Sequence, residues 1–147
     1  MLTMMTAQKT RTLAAPPHRV WEVLEDPEHM TRWWPGVQRM EGVCSDRWTQ
    51  VHATKRGRSV RLDFRLLQSE PPWIRAWEQE IVGTPFERVL NESVTEIALQ
   101  PVDEGTRVTL AQRQKLRGYS RTGGLILRRA TAKKLSEALD GLEVLFV

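Results

Sequence analysis

A chain of 147 residues with a formal net charge of +4 is long enough for one domain that buries about two thirds of the surface its unfolded form exposes. Its longest apolar runs fall far short of the roughly 18 residues needed to span a bilayer, and its start lacks a charged-then-apolar signal pattern, so a soluble, cytoplasmic protein without a transmembrane segment is expected. The single cysteine, Cys44, excludes an intramolecular disulfide and a cysteine-cluster metal site, and reads as a buried thiol packed as a small hydrophobe.

In chain order, residues 7–14 form a first strand with Thr10, Thr12 and Ala14 on one face and Lys9, Arg11 and Leu13 on the other. Pro16 and Pro17 then suit a helix's first turn, and Val20, Val23 and Leu24 mark its apolar face. Asp26 caps a second short helix with Pro27 at its first position. That helix carries Met30, Trp33 and Trp34 and stops at Pro35-Gly36.

From Val37 the period becomes two. Strands are predicted over 37–43, 46–55, 59–68, 73–82, 89–100 and 106–116, with Lys55-Arg56-Gly57-Arg58 as a charged hairpin tip. Val60, Leu62, Phe64 and Leu66 alternate with Arg61, Asp63 and Arg65, the signature of an antiparallel sheet with one face buried and one wet. Residues 121–147 close the chain as a long amphipathic helix. Leu127, Leu135, Ala138, Leu139, Leu142, Leu145 and Phe146 form its apolar stripe, and Arg128, Arg129, Lys133, Lys134, Glu137 and Asp140 fall mostly on the solvated side. Gly123-Gly124 before this helix and Gly141 within it read as flexible points, and Gly118 to Gly124 as a connecting turn or a hinge.

The order of elements is strand, two short helices, six strands, long helix. The segment APPHRVWEVLEDPEHMTRWWPGV, the Glu70-Pro71-Pro72 break, the ALQPVDEGTRVTL hairpin and the basic-apolar closing helix resemble the START-like, or SRPBCC, superfamily of polyketide cyclase/dehydrase-like proteins with the Bet v 1-like helix-grip fold. The turn Asp103-Glu104-Gly105-Thr106 is close to that family's Asp-Gly-Gly-Thr pattern, with Glu for the first Gly. The resemblance covers about residues 7–146, so residues 1–147 are expected to form a single START-like domain. It implies an α+β fold in which a seven-stranded curved antiparallel sheet, two short helices and a long C-terminal helix enclose a cavity. It carries over no catalytic residue set, because the same frame hosts binders, transfer proteins and cyclases.

Independent of the family, the chain contains no P-loop, no Gly-x-Gly-x-x-Gly, no Gly-x-Ser-x-Gly and no His-Glu-x-x-His, and no metal or other cofactor is expected. His18 and His29 fall in solvated positions of the two short helices. His52 alternates with Trp48, Gln50 and Thr54, opposite Thr49, Val51 and Ala53. If the first set faces inward, His52 is a polar group able to move a proton near neutral pH; if the second does, it is merely wet. Six tryptophans are many for a core of this size, and aromatic walls with a few convergent polar groups are what apolar ligand pockets use. Alternation from apolar anchors places Gln112 and Gln114 with Val108 and Leu110, Ser93 and Thr95 with Ile97 and Leu99, and Trp73, Arg75, Trp77, Gln79 and Ile81 on one face. Glu78, Glu80, Glu92 and Glu96 then lie outside.

The resulting candidate ligand-binding residues are Trp34, Trp48, Gln50, His52, Phe64, Arg75, Trp77, Gln112 and Gln114, with no catalytic residue assigned and enzyme status left open. The expected function is binding of a hydrophobic or aromatic small molecule, lipid- or polyketide-like, in a cavity between sheet and C-terminal helix. An aromatase/cyclase or dehydratase acting on a polyketide-like chain, and a protein- or RNA-interaction module, are the alternatives. The basic residues are dispersed among 18 acidic ones, so a nucleic-acid partner is not expected. A monomer or homodimer is.

Overall fold

The computed structural model describes residues 2–118 and 121–147. Strand β1 (Leu2–Leu13) leads into helix α1 (Pro17–Leu24), a 3-10 turn (Pro27–His29) and helix α2 (Met30–Trp33). Strands β2 (Val37–Glu41), β3 (Arg47–Ala53), β4 (Ser59–Glu70), β5 (Ile74–Gln79), β6 (Leu90–Val102) and β7 (Gly105–Arg117) follow, with a second 3-10 turn at Pro85–Arg88, and helix α3 (Arg121–Leu145) closes the chain. All seven strands join one antiparallel sheet in the order β1-β7-β6-β5-β4-β3-β2. Consecutive strands are neighbours except that β1 crosses to the far edge beside β7, and α1 and α2 lie in that crossing. This is the helix-grip arrangement that the family resemblance implies, with a curved sheet around a long C-terminal helix.

Curvature has a local cause. Register shifts between Val37 and Arg39, Leu66 and Gln68, and Leu90 and Glu92 put an extra residue into one strand of a pair, which bends and twists it. At Gly105 (φ +140°) a Cβ would run into the Leu13 carbonyl and the backbone of Ala14 and Ala15, so the β6-β7 turn can close over the end of β1 only with glycine. Thr106 secures the same join by donating to the Ala15 carbonyl at 2.6 Å.

The core lies between the concave sheet face and the helices. Leu135, Ala138, Leu139 and Leu142 of α3 are completely buried, together with Val20 of α1 and Ile97, Val108, Leu110 and Leu116 of the sheet. The convex face is wet and self-neutralising: Arg47 pairs with Glu80 at 3.0 Å, Arg65 with Glu78, and Arg39 and Arg61 both with Glu41. Hydrogen bonds from Arg39 and Arg61 hold the Glu41 carboxyl below its ordinary range. Among the described residues, no helix is long and apolar enough to cross a membrane.

Several expectations need correction. The first strand starts five residues earlier than residue 7, at Leu2, because pairing along the whole of β7 supports a segment whose own alternation is weak. Cys44 is exposed, since β2 ends at Glu41 and Gly42 (φ +56°) turns the chain outward before it. His29 is half-buried, and its Nδ1 bonds the Val23 carbonyl at 3.1 Å. Trp73 precedes β5 and is 48% exposed, so it does not share the inner face with Trp77. Leu145 is exposed at the frayed end of the apolar stripe. Gly123 and Gly124 lie inside the first turn of α3, and the rest of the segment read as a turn or hinge falls partly on residues 119 and 120, outside the described residues.

Candidate functional site

On β3 the set Trp48, Gln50 and His52 faces inward. Trp48 and Gln50 are buried, Trp48 stacks on Phe64 of β4 with ring centroids 6.3 Å apart, and Gln50 reaches Met30 of α2. Trp77 of β5 meets Trp48 edge-on at 6.1 Å and Trp34 at 6.3 Å, and Trp34 meets Trp33 at 5.4 Å. Five rings contributed by β3, β4, β5 and the α2 segment thus form one aromatic cluster, in the offset and edge-to-face geometries such rings prefer.

Next to the rings the inner face is polar. Register sets Trp77 opposite Thr95 and Thr95 opposite Gln112; Gln112 Nε2 donates to Thr95 Oγ1 at 3.0 Å. The adjacent row pairs Ser93 with Gln114, whose Nε2 donates to Ser93 Oγ at 3.2 Å. Arg75 shares the face of Trp77 by alternation and is 3% exposed. Its Cζ sits 5.6 Å from the centroid of the Trp48 ring, and Nη1 donates to Ser69 Oγ at 3.4 Å. Nε and Nη2 of Arg75, Gln79 Nε2 and Trp48 Nε1 are buried and find no hydrogen-bond partner among the described residues. Burial pulls the Arg75 guanidinium below its ordinary pKa, and the carboxylates of Glu25 and Asp26 offset part of that. An arginine nonetheless stays charged across the physiological range.

His52 joins this interior to the surface. It is half-buried at the side of an open cleft of ≈ 430 Å³ between α3 and the sheet, lined with it by Pro35, Gly36, Ala130, Lys133, Lys134 and Glu137. Gln50 Nε2 faces the Met30 Sδ at 3.2 Å, so its Oε1 is left to accept from His52 Nε2–H at 2.9 Å. That bond fixes the tautomer and leaves Nδ1 as the ring's lone-pair nitrogen, on the side of Gly36, where a Cβ would come 3.1 Å from it. Burial, and secondarily the charge of Lys134, push the imidazole below its ordinary pKa, so it is neutral at pH 7.

All nine sequence-derived candidates therefore lie on or beside one concave surface. Trp34, Trp48, Phe64 and Trp77 belong to the aromatic cluster and Arg75 sits over Trp48, Gln50 and His52 lead from the cluster to the cleft, and Gln112 and Gln114 belong to the polar rows. Sequence reasoning misses the cleft residues on α3, because periodicity assigns Lys133, Lys134 and Glu137 to solvent and leaves Ala130 unassigned. Ala130, Lys133, Lys134 and Glu137 stand at i, i+3, i+4 and i+7, a stripe visible in the sequence, but nothing there says that this flank faces β3. Among the described residues, no group of His, Cys, Asp and Glu is placed to hold a metal ion.

Residues 4–146 match the polyketide cyclase / dehydrase and lipid transport family. The chain belongs to that family. No curated protein matches it by sequence. Among solved structures it is similar to the di-domain ARO/CYC StfQ from the steffimycin biosynthetic pathway, with TM-score 0.78 and 13% identity over 97% of this chain and 50% of that one. A protein of unknown function from Staphylococcus aureus gives TM-score 0.77 and 11% identity, covering 96% of this chain and 92% of that one. An uncharacterised protein from Rhizobium leguminosarum gives 0.71 and 21%, covering 98% and 95%. At these identities the likeness shows the fold alone. Chemistry has to be argued from the site itself.

Proposed function

We propose that the chain binds a hydrophobic or aromatic small molecule, lipid- or polyketide-like, against the concave sheet face beneath α3, reached through the cleft beside His52. The observation that carries this reading is a set of buried donors, on Arg75, Gln79 and Trp48, that find no partner among the described residues, beside a wall of aromatic rings. A core whose only task is packing has no use for such groups, because each buried unsatisfied donor costs about 1–3 kcal/mol. Apolar walls with a few fixed polar groups suit a ligand that is mostly carbon. Five of the six tryptophans are buried, and the convex-face Arg47, Arg61 and Arg65 are already paired with carboxylates, which favours an interior ligand over a nucleic-acid strand on the sheet.

A second reading, a cyclase- or dehydratase-type enzyme, is favoured by one feature. His52 is neutral, held through Nε2, and presents a free Nδ1 at the cleft, the arrangement a general base needs.

Native mass spectrometry of the protein as purified, together with titration by the neutral fluorophore N-phenyl-1-naphthylamine, tests the binding reading. A retained apolar mass, or saturable one-to-one binding of the dye, is expected. A bare protein mass with no saturable dye binding would remove the proposal.

A further inference from the structure

We infer that the small molecule held by this fold carries an acidic group, in the simplest case a carboxylate, and that Arg75 is its anchor; this rests on the ligand-binding reading above. The two guanidinium nitrogens that find no partner among the described residues are Nε and Nη2. These share one edge of the guanidinium plane, so their N–H bonds run parallel and form the side-on fork that takes both oxygens of a carboxylate. The third nitrogen is already used on Ser69 Oγ, which fixes the direction in which the fork points.

Charge makes the same demand. Arg75 is 3% exposed, and no carboxylate of the described residues lies within ion-pairing distance of it. Glu25 and Asp26 act on it only through their field, and Asp26 Oδ1 is committed to the Glu28 N–H at 3.0 Å. A buried cation without a counter-charge is costly, and a ligand that brings one is bound selectively. Beneath the guanidinium lies Trp48, stacked on Phe64 and edge-on to Trp77, so the side chains next to Arg75 are apolar. One fork without a second cation beside it suits a singly charged head better than a phosphate dianion. The ligand class that follows is an aromatic or aliphatic monocarboxylic acid.

The test compares acids with alcohols of the same skeleton. Dodecanoate against 1-dodecanol, and 2-naphthoate against 2-naphthalenemethanol, compete with N-phenyl-1-naphthylamine at pH 7.5 on wild type, Arg75→Met and Arg75→Lys. In wild type each acid should displace the dye at about ten- to a hundredfold lower concentration than its alcohol, the usual scale of a charge-assisted fork. Arg75→Met, whatever its own affinity for the dye, should lose the acid-over-alcohol ratio, and Arg75→Lys, with charge but no fork, should keep part of it. The Arg75 Nε–H resonance of wild type should shift with 2-naphthoate and not with the alcohol, a readout that stands even where a variant fails to fold. Dye binding with equal affinity for acid and alcohol, or a preference that survives in Arg75→Met, would overturn the inference while leaving the binding reading intact. Failure of the dye and all four compounds to bind wild type would overturn both.

Discussion

Gly141 of α3 lies against the backbone of Trp33 at the end of α2: a Cβ at 141 would come 2.5 Å from the Trp33 carbonyl oxygen and 2.9 Å from its Cα. Glycine is there for the close approach of two helices, not for flexibility. The contact docks α3 onto the segment that carries Trp33 and Trp34. In an open helix, alanine gains about 1 kcal/mol over glycine. At Gly141 the obstructing atoms are backbone, so Gly141→Ala should instead lose about 1–3 kcal/mol, the scale of overpacking. At Gly124 a Cβ would meet nothing within 4 Å, so the same change there should gain up to about 1 kcal/mol. Urea midpoints at constant slope decide this, and equal gains at both sites would contradict the docking of α3 on α2.

Trp77 is 1% exposed and in edge contact with both Trp34 and Trp48. It is part of the frame before it can be part of any ligand wall. Trp77→Ala should cost about 3–5 kcal/mol in unfolding free energy, the range for a large buried aromatic. A loss below about 1 kcal/mol in denaturant titration would show that the ring is not packed as described.

Arg75→Met should make the ligand-free protein more stable, by about 1–3 kcal/mol, because a buried unpaired charge is exchanged for an apolar chain of similar length. Thermal and urea unfolding of stripped protein measure it. A marked destabilisation would mean that the guanidinium contributes more through Ser69 and Trp48 than its burial costs.

His52 has a folded pKa below the 6.5 of the free side chain. As pH falls through 6.5 the unfolded chain takes up a proton that the folded protein does not, so this contribution to stability is complete above that pH and is lost from there down towards the folded pKa. The charged groups beside it on the cleft are Lys133, Lys134 and Glu137 of α3. His52→Gln, which keeps a donor towards Gln50 and removes the titration, should flatten the fall in stability as the pH drops below 6.5. Identical pH profiles for variant and wild type would show that the imidazole is free to protonate.

Much of this molecule is readable from its chain because periodicity is local. The alternation of Val60, Leu62, Phe64 and Leu66 and the three- and four-residue steps of Leu135, Ala138, Leu139 and Leu142 establish which residues share a face, and with the order of elements they determine a sheet gripping a C-terminal helix. Alternation also puts Arg75 with Trp77, and Gln112 with Leu110. What it leaves open is which of two faces is the inner one where both are apolar. Trp48 and Val51 are both buried on opposite faces of β3, and only the contacts of Gln50 with Met30 and of Trp48 with Phe64 and Trp77 decide that His52 looks inward. The same holds for Cys44, Gly141 and the α3 flank opposite His52, whose surroundings come from segments far away in sequence. That two nitrogens of Arg75 find no partner among the described residues is likewise a property of the folded interior, since satisfaction of a buried donor depends on every chain segment packed around it.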